Sequence, residues 1–190
     1  ASIFYTRSNV RGKAETITLG ALGGPLIRRV SFAWTDPHFR WTNWSSNYTS
    51  TGEINKENPI FDSRIARVGW QLQRSLNASG SKTLLLRYSL TQTGLRRLLI
   101  PDLIPEQDLH TRLSTFAATY IHDTRDNILD AHKGQYQTFQ IDFNSRLLGS
   151  NVSFGKLLLQ AAYYHPISEK VTWANSIRLG FIVPFGGSHV

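Results

Sequence analysis

The stretch ARVGWQLQ, Ala66 to Gln73, shows the pattern that decides the fold. Apolar residues (alanine, valine, tryptophan and leucine) alternate one by one with arginine, glycine and two glutamines. In an extended strand successive side chains point to opposite sides, so this segment presents one apolar face and one polar face. The period of two therefore predicts a half-buried β-strand and not a helix.

The same alternation recurs along the whole chain, whereas helical periodicity is nearly absent. Many of the segments run to about ten residues or more, longer than the five or six of a usual strand. About ten strands are predicted, at residues 1–7, 13–22, 27–36, 41–52, 63–76, 82–93, 110–123, 134–147, 152–166 and 171–185. The fold class is therefore all-β.

Two all-β architectures produce such alternation. A soluble sandwich packs its apolar faces between two sheets, and a transmembrane barrel turns them to lipid. The barrel is favoured because the expected polar faces carry arginine, glutamine and glycine in mid-strand, and because aromatic residues gather near strand ends, where interfacial girdles lie. These aromatic residues are Phe4, Tyr5, Phe39, Trp41, Trp44, Tyr120, Tyr136, Tyr163, Tyr164, Trp173 and Phe185.

The links between the predicted strands give a second test, because outer-membrane barrels alternate short periplasmic turns with longer outside loops. The longest links, GEINKENPIFD and GLRRLLIPDLIPEQDL, fall at one end, opposite the compact TDPHFRW, NASGSK and PISEK. Two short links, LGGPL and LLGSN, fall at the long-loop end and weaken the test. We predict an antiparallel transmembrane β-barrel, with residues 1–190 forming a single partial domain of a larger barrel.

The composition excludes several classes of functional site. The 190 residues contain no cysteine, which excludes disulfides and thiolate sites, and no apolar run approaches the roughly 18 residues of a membrane helix. A net charge of +8 first points to nucleic acid or an anionic membrane surface. Because the arginines are scattered and no nucleic-acid recognition motif accompanies them, we predict no nucleic-acid partner.

The stretch YIHDTRDNILDAHKG, Tyr120 to Gly134, invites a catalytic interpretation. Asp123 and Asp126 would be an acid/base pair, or His122, Asp123 and His132 would be metal ligands. The spacing argues against both, because strand residues three apart point to opposite faces and the two histidines lack the short spacing of known metal motifs. We therefore expect no catalytic residue, no metal, no cofactor and no enzymatic activity.

A structural interpretation of this stretch has more support. Asp-Asn and Lys-Gly favour turns, and Gly134 can adopt a positive φ. Arg125 can pair with Asp123, with Asp126 or with a carboxylate on a neighbouring strand, and Asp130 can cap free amides of the turn. The stretch is predicted to be a charged strand end that passes into a tight, fixed turn.

Several segments resemble one known family. FAATYIHDTRDNILDAHKGQYQTFQIDF (116–143), then LGSNVSFGKLLLQAAYYHPI (148–167) and WANSIRLGFIVPFGGSHV (173–190), resemble the barrel of the bacterial surface-antigen superfamily, the BamA/TamA-type outer-membrane protein assembly factors. Upstream, RRVSFAWTDPHF (28–39) is similar to an early strand end of that family. The pattern DTRDN, Asp, Lys-Gly is specific and stands in the right order, so the resemblance covers most of the chain.

The resemblance implies location in the bacterial outer membrane, with periplasmic POTRA domains and later strands outside this chain. It implies non-catalytic work, in which strand edges at a weak seam template substrate strands through backbone hydrogen bonds. Expected partners are outer-membrane lipids, unfolded outer-membrane protein substrates, and remaining barrel strands or another chain. The matching motif residues, expected at a periplasmic connection, are Asp123, Thr124, Arg125, Asp126, Asn127, Asp130 and Gly134.

Other interpretations stay open at this point. A two-partner-secretion-type translocator or a passive pore shares the barrel, and a soluble β-sandwich binding module is a third hypothesis. The compact early loops favour a TamA-like over a BamA-like protein. Arg96 and Arg97, in the loop LRRLLIPDLIP (95–105), are candidate contacts to lipopolysaccharide phosphates, and packing of this loop on itself is the alternative.

Overall fold

Ten β-strands form one sheet in the structure, a computed structural model in which residues 1–99 and 109–186 are described. The strands are β1 (Ser2–Val10), β2 (Glu15–Gly23), β3 (Ile27–Asp36), β4 (Ser45–Asn55), β5 (Asp62–Ser75), β6 (Lys82–Arg96), β7 (His110–Asp123), β8 (Gly134–Asn144), β9 (Phe154–Ser168) and β10 (Val171–Pro184). Each strand pairs antiparallel with its neighbours in the sequence. Within the described residues the sheet is open, because β1 and β10 each pair on one side only. The all-β prediction and the predicted number of strands are confirmed.

The register places the apolar residues of neighbouring strands on one face. Trp70 pairs with Tyr48 on one side and with Tyr88 on the other, and the row continues to Trp34 and Phe116. Directly paired residues lie on the same face of a sheet. The surface formed by this row and by the residues alternating with it is called here the apolar face, and the opposite surface is called the polar face.

Within the described residues no second layer covers the apolar face. Its side chains are largely exposed, for example Ile3 (71%) and Ile177 (58%). Among the described residues the buried hydrophobic ones are only Ala117 and Ala162. A soluble sandwich would bury these large side chains between two sheets, so the sandwich hypothesis is wrong. An apolar face without a cover is what a membrane-facing surface requires.

The polar face holds ion pairs that link neighbouring strands. Arg29 Nε donates to Glu53 Oε2 at 2.7 Å between β3 and β4. Lys156 Nζ lies 3.5 Å from Asp142 Oδ2 between β9 and β8. These two ion pairs each join charges on adjacent strands of this face.

Arginines on the two faces follow different rules. In the described strands, the arginines on the apolar face lie no more than three residues from a strand end: Arg7, Arg28, Arg64, Arg74, Arg96 and Arg112. Three mid-strand arginines, Arg67, Arg87 and Arg178, are on the polar face. An arginine facing lipid costs about 2–4 kcal/mol at the midplane and about 0–1 kcal/mol near the interface. The distribution is therefore that of a membrane-spanning sheet.

The links define two ends of the sheet. The motif end carries links 11–14, 37–44, 76–81, 124–133 and 169–170, and the opposite end carries 24–26, 56–61, 97–109 and 145–153. The long links 37–44 and 124–133 lie at the end where compact turns were expected, so link length does not distinguish the two ends. Helical structure in the described residues includes the 3-10 turns Phe39–Trp41 and Arg146–Leu148, and no helix there is long and apolar enough to cross a membrane.

Candidate functional site

The connection between β7 and β8 carries the charged motif. It has ten residues, Thr124 to Lys133, so the tight turn expected from the sequence is a longer loop. The ladder continues into this loop, because Thr124 N donates to Gln135 O at 2.8 Å and Asp126 N donates to Lys133 O at 3.1 Å. Thr124 Oγ1 also accepts from Gln135 N at 3.1 Å. The base of the loop is therefore an extension of the β7–β8 pairing.

The guanidinium of Arg125 folds back onto the strand that precedes it. Arg125 Nε and Nη2 donate to the two carboxylate oxygens of Asp123 at 2.9 and 2.7 Å. The guanidinium lies 4.6 Å from the ring centroid of Tyr136, and Nη1 donates to Ile128 O at 3.3 Å. The hydrogen bonds to Asp123 raise the pKa of Arg125 further above its ordinary value. Of the partners left open by the sequence, the structure selects Asp123.

Asp126 organises the tip of the loop. Its Oδ1 accepts from Lys133 N at 3.1 Å and from His132 N and Asn127 N at 3.0 Å each. These backbone donors, Lys133 first, hold the pKa of the Asp126 carboxyl below its ordinary value. Asn127 Oδ1 accepts from Leu129 N at 2.9 Å. The two side chains together satisfy amides that the turn leaves without backbone partners.

The capping role expected for Asp130 is wrong. Its side chain is 82% exposed, and its nearest charged contact is His132 Nε2, 3.9 Å from Oδ2. Asp126 and Asn127 cap the loop instead, because their side-chain oxygens accept hydrogen bonds from the loop amides. Sequence alone does not separate these three residues, since aspartate and asparagine are equally suited to capping.

Gly134 is required where β8 begins. Its φ is +105°, as predicted, and a Cβ placed there would lie 2.2 Å from Thr124 O. No L-residue with a side chain fits that distance without moving the backbone. The glycine therefore allows the two strands to approach closely at the mouth of the loop.

The charged motif of the β7–β8 connection lies on the polar face at the motif end. Asp123 pairs directly with Tyr136, and Gly134 pairs with Tyr164. These two tyrosines, which the sequence placed in an interfacial girdle, are thus on the polar face, and their girdle assignment is wrong. His122 is on the opposite face from Asp123 by strand alternation. Within the described residues no group of three histidine, aspartate or glutamate side chains is arranged to hold a metal.

Arg96 and Arg97 lie at the opposite end of the sheet. Arg97 Nε is 3.5 Å from Asp62 Oδ2 and its side chain is 74% exposed, while Arg96 is the last residue of β6. Both line a hollow together with Arg28 and Arg64, which sequence reasoning missed. The strand register is the signal that brings these residues together. Residues 100–108 of the link that follows Arg96 lie outside the described residues.

The two edge strands are the second functional feature. Within the described residues β1 and β10 are the outer strands of the sheet, and each pairs on one side only. The pairing of β1 with β2 is irregular, because the register shifts between Arg7 and Val10 and Asn9 has a φ of 55°. Such an edge can accept a further strand by backbone hydrogen bonding.

Comparison with known proteins identifies a family and a similar fold. A family model described as the Omp85 superfamily domain matches residues 9–190. Among curated proteins, none matches the chain. The structure is similar to the crystal structure of BamA from Haemophilus ducreyi lacking POTRA domains 1-3, with a TM-score of 0.77 and 14% sequence identity over 100% of this chain and 39% of that chain. The chain thus spans about two fifths of that structure, and at this identity the likeness concerns the fold.

Proposed function

Because the chain belongs to the Omp85 superfamily, and therefore to a family of outer-membrane barrels for protein insertion and transport, we propose that it forms part of a BamA/TamA-type assembly factor. The protein lies in the bacterial outer membrane. Its proposed work is the insertion of other outer-membrane proteins, and the work is mechanical, not enzymatic. The observation that carries the proposal is the irregular pairing of β1 with β2 in a sheet whose apolar face is uncovered within the described residues.

A seam between weakly paired strands of the barrel supplies the physical basis of insertion. In lipid, each unpaired backbone amide costs several kcal/mol. A substrate strand that pairs with an edge satisfies its backbone groups before it meets lipid. The partners are unfolded outer-membrane proteins, outer-membrane lipids, and further strands of the same barrel or another chain. Residues 1–190 are one partial barrel domain of a protein that also carries POTRA-type domains.

The motif loop has a positioning role in this proposal. With the motif end at the periplasmic side, Asp123, Thr124, Arg125, Asp126, Asn127 and Gly134 hold the β7–β8 connection in one conformation. Two observations support this positioning role: the two-point pairing of Arg125 with Asp123 and the close approach of the strands at Gly134. A fixed connection keeps the β7–β8 register while strands near the edges open.

A two-partner-secretion-type translocator or a passive pore is the alternative. The polar face favours it, because charged and hydrogen-bonding side chains such as Arg29, Glu53 and Asp142 are suited to the wall of an aqueous passage. The two functions differ in the surface that contacts the substrate. An insertase offers strand edges, and a translocator offers the polar face in mid-sheet.

This chain contains no cysteine, so a thiol introduced for crosslinking is the only one within residues 1–190. In the full-length protein, Thr6→Cys and Ser176→Cys place a thiol in the first and last strands of this sheet, and the matched control Ser89→Cys places one in β6, in the middle of the sheet. All three side chains are on the polar face. An unfolded outer-membrane protein with a single cysteine is added in lipid vesicles, and disulfide-linked products are counted.

Insertion predicts crosslinks at Thr6→Cys or Ser176→Cys and few at Ser89→Cys, together with folded substrate in the vesicle membrane. Crosslinks mainly at Ser89→Cys, with substrate delivered into the vesicle interior, would establish the translocator. Folded substrate without crosslinks at either edge would refute templating by this sheet.

A further inference from the structure

A cluster of cations lies on the apolar face at the end opposite the motif. It surrounds a hollow of about 470 Å³ and consists of Arg28, Lys56, Arg64, Arg96 and Arg97. One carboxylate, Asp62, lines the same hollow and lies 3.5 Å from Arg97. Among the described residues the other four cations have no ion-pair partner. The cluster therefore carries an excess of positive charge that the described part of the protein does not neutralise.

An apolar groove of about 890 Å³ borders this cluster. Its floor includes Ala21, Val30, Gly52 and Ala66, which pair in one row across β2 to β5. The next row toward the strand ends contains Arg28, Ile54 and Arg64, so the cations stand directly above the apolar floor. Both hollows share Arg28, Arg64 and Arg96 in their walls. The surface thus combines the apolar groove with a charged rim, formed by Arg28, Arg64 and Arg96.

The position of the rim fits the headgroup layer of the membrane. Arg28 is the second residue of β3, Arg64 is the third of β5 and Arg96 is the last of β6. Arginine side chains near the end of a membrane strand reach the interface, where phosphate groups are found. Because guanidinium groups bind phosphate through two parallel hydrogen bonds, a cluster that the described residues leave unneutralised at this depth is suited to phosphorylated lipid.

The width of the cluster points to more than one phosphate. Arg28 and Arg96 lie three strands apart, which is about 14 Å at the usual strand spacing. A phospholipid with one phosphodiester spans only part of that distance. We propose that this surface is a binding site for a phosphorylated glycolipid of the outer leaflet, of the lipid A type, with its phosphates on Arg28, Arg64 and Arg96 and an acyl chain in the groove.

This site is independent of substrate insertion. It needs the outer-membrane location and the assignment of the motif end to the periplasm, which places the cluster in the outer leaflet. It also extends the contact predicted for Arg96 and Arg97 to three strands, β3, β5 and β6, and it adds a groove for an acyl chain. A protein that fails to insert substrates can still bind the lipid, so the two proposals fail separately.

The test measures binding of purified lipid A to the full-length protein in detergent micelles. The triple variant Arg28→Gln, Arg64→Gln, Arg96→Gln removes the rim, and the matched triple variant Arg67→Gln, Arg87→Gln, Arg178→Gln removes the same charge from the polar face of the same sheet. Loss of one charge-assisted contact weakens binding about tenfold. We expect the rim variant to bind at least about a hundredfold more weakly and the polar-face variant to bind within about threefold of the parent protein.

A second variant tests the groove without changing charge. Gly52 has room for a Cβ, which would lie 3.5 Å from Val30 Cγ2. The variant Gly52→Leu therefore fills the apolar groove while the backbone stays in place. Gly52→Leu should weaken lipid A binding about tenfold or more. It should leave the binding of inorganic pyrophosphate to the rim unchanged. Folding of each variant is verified by the gel mobility of the unheated protein.

Several results would overturn the proposal. One is an equal loss of affinity in the rim and polar-face variants, which would mean a general effect of net charge. Another is equal affinity for lipid A whose phosphates have been removed. Full displacement of lipid A by inorganic phosphate would identify a free-anion site, and equal affinity for phosphatidylglycerol would identify a non-selective anionic surface.

Discussion

Replacement of Gly134 by alanine should destabilise the protein much more than the same change at another glycine of positive φ. At Gly134 the new Cβ would lie 2.2 Å from Thr124 O and 2.7 Å from Thr124 C, both rigid backbone atoms. Gly80 has a φ of +73°, and nothing lies within 4 Å of a Cβ built there. Gly80→Ala is therefore a matched control that retains the backbone strain and lacks the clash.

The magnitudes follow from these two environments. Left-handed backbone costs an alanine roughly 1 kcal/mol, which is the whole expected effect at Gly80. At Gly134 the strain is of the same order or larger, and the strands must also separate where Thr124 N donates to Gln135 O at 2.8 Å. Loss of that bond and of close packing adds about 1–2 kcal/mol. Gly134→Ala should thus cost about 3 kcal/mol.

Thermal unfolding in detergent micelles measures the difference. For a domain of this size 1 kcal/mol corresponds to about 2–4 °C in Tm. We expect Tm to fall by about 3 °C in Gly80→Ala and by about 9 °C in Gly134→Ala, measured by tryptophan fluorescence and by gel mobility of the folded barrel. Equal shifts in the two variants would refute the idea that close approach of Thr124 makes the glycine necessary.

Three further predictions concern the charged groups. Arg125→Ala should cost about 1–3 kcal/mol because it removes both guanidinium donors from the Asp123 carboxylate, and Arg125→Lys should recover about half, since an ammonium lacks the two-point fork; equal stability of all three proteins in urea would contradict this. The depressed pKa of Asp126 stabilises the loop above the ordinary carboxyl pKa, and this stability is lost as pH falls through the folded value, so protection of the loop amides from hydrogen exchange should decrease below about pH 4. The variant Asp126→Asn should remove that acid step, and persistence of the step would assign it to another group. Charge reversal by Asp142→Lys should lower Tm by a few degrees, and Lys156→Asp in the same protein should restore most of the loss; additive losses would rule out a favourable ion pair between the two side chains.

Strand positions were predictable because they depend on local alternation. The predicted strands 27–36 and 110–123 coincide with β3 and β7. The prediction for β4 began four residues early, at residue 41 instead of Ser45. Its aromatic run resembles a strand, but Arg40 and Trp41 have φ values of 52° and 61°, which place them in a turn. Alternating character does not reveal a positive φ at a non-glycine residue.

The site was predictable where its contacts are local in sequence. Asp123 and Arg125 are two residues apart, and Gly134 follows a turn-forming lysine, so short-range rules found them. Positions that depend on strand register were not predictable. Tyr136 lies beside Arg125 only because β8 pairs with β7, and Arg28 approaches Arg64 only because β4 pairs on both sides. Hydrophobic period alone fixes which residues share a face within one strand, not which strands are neighbours.

The positive charge of the chain acts as a determinant of that register. A slip of one residue exchanges the two faces of a strand. A slip of β5, β6 or β10 would carry its arginine, Arg67, Arg87 or Arg178, from the polar face to a mid-strand position on the lipid side, at about 2–4 kcal/mol for each strand that slips. Each such cost is a sizeable fraction of the total stability of a typical domain, about 5–15 kcal/mol. Mid-strand arginines thus disfavour the slipped registers. Near strand ends such an exchange costs about 0–1 kcal/mol, so the arginines there remain available for contact with headgroups.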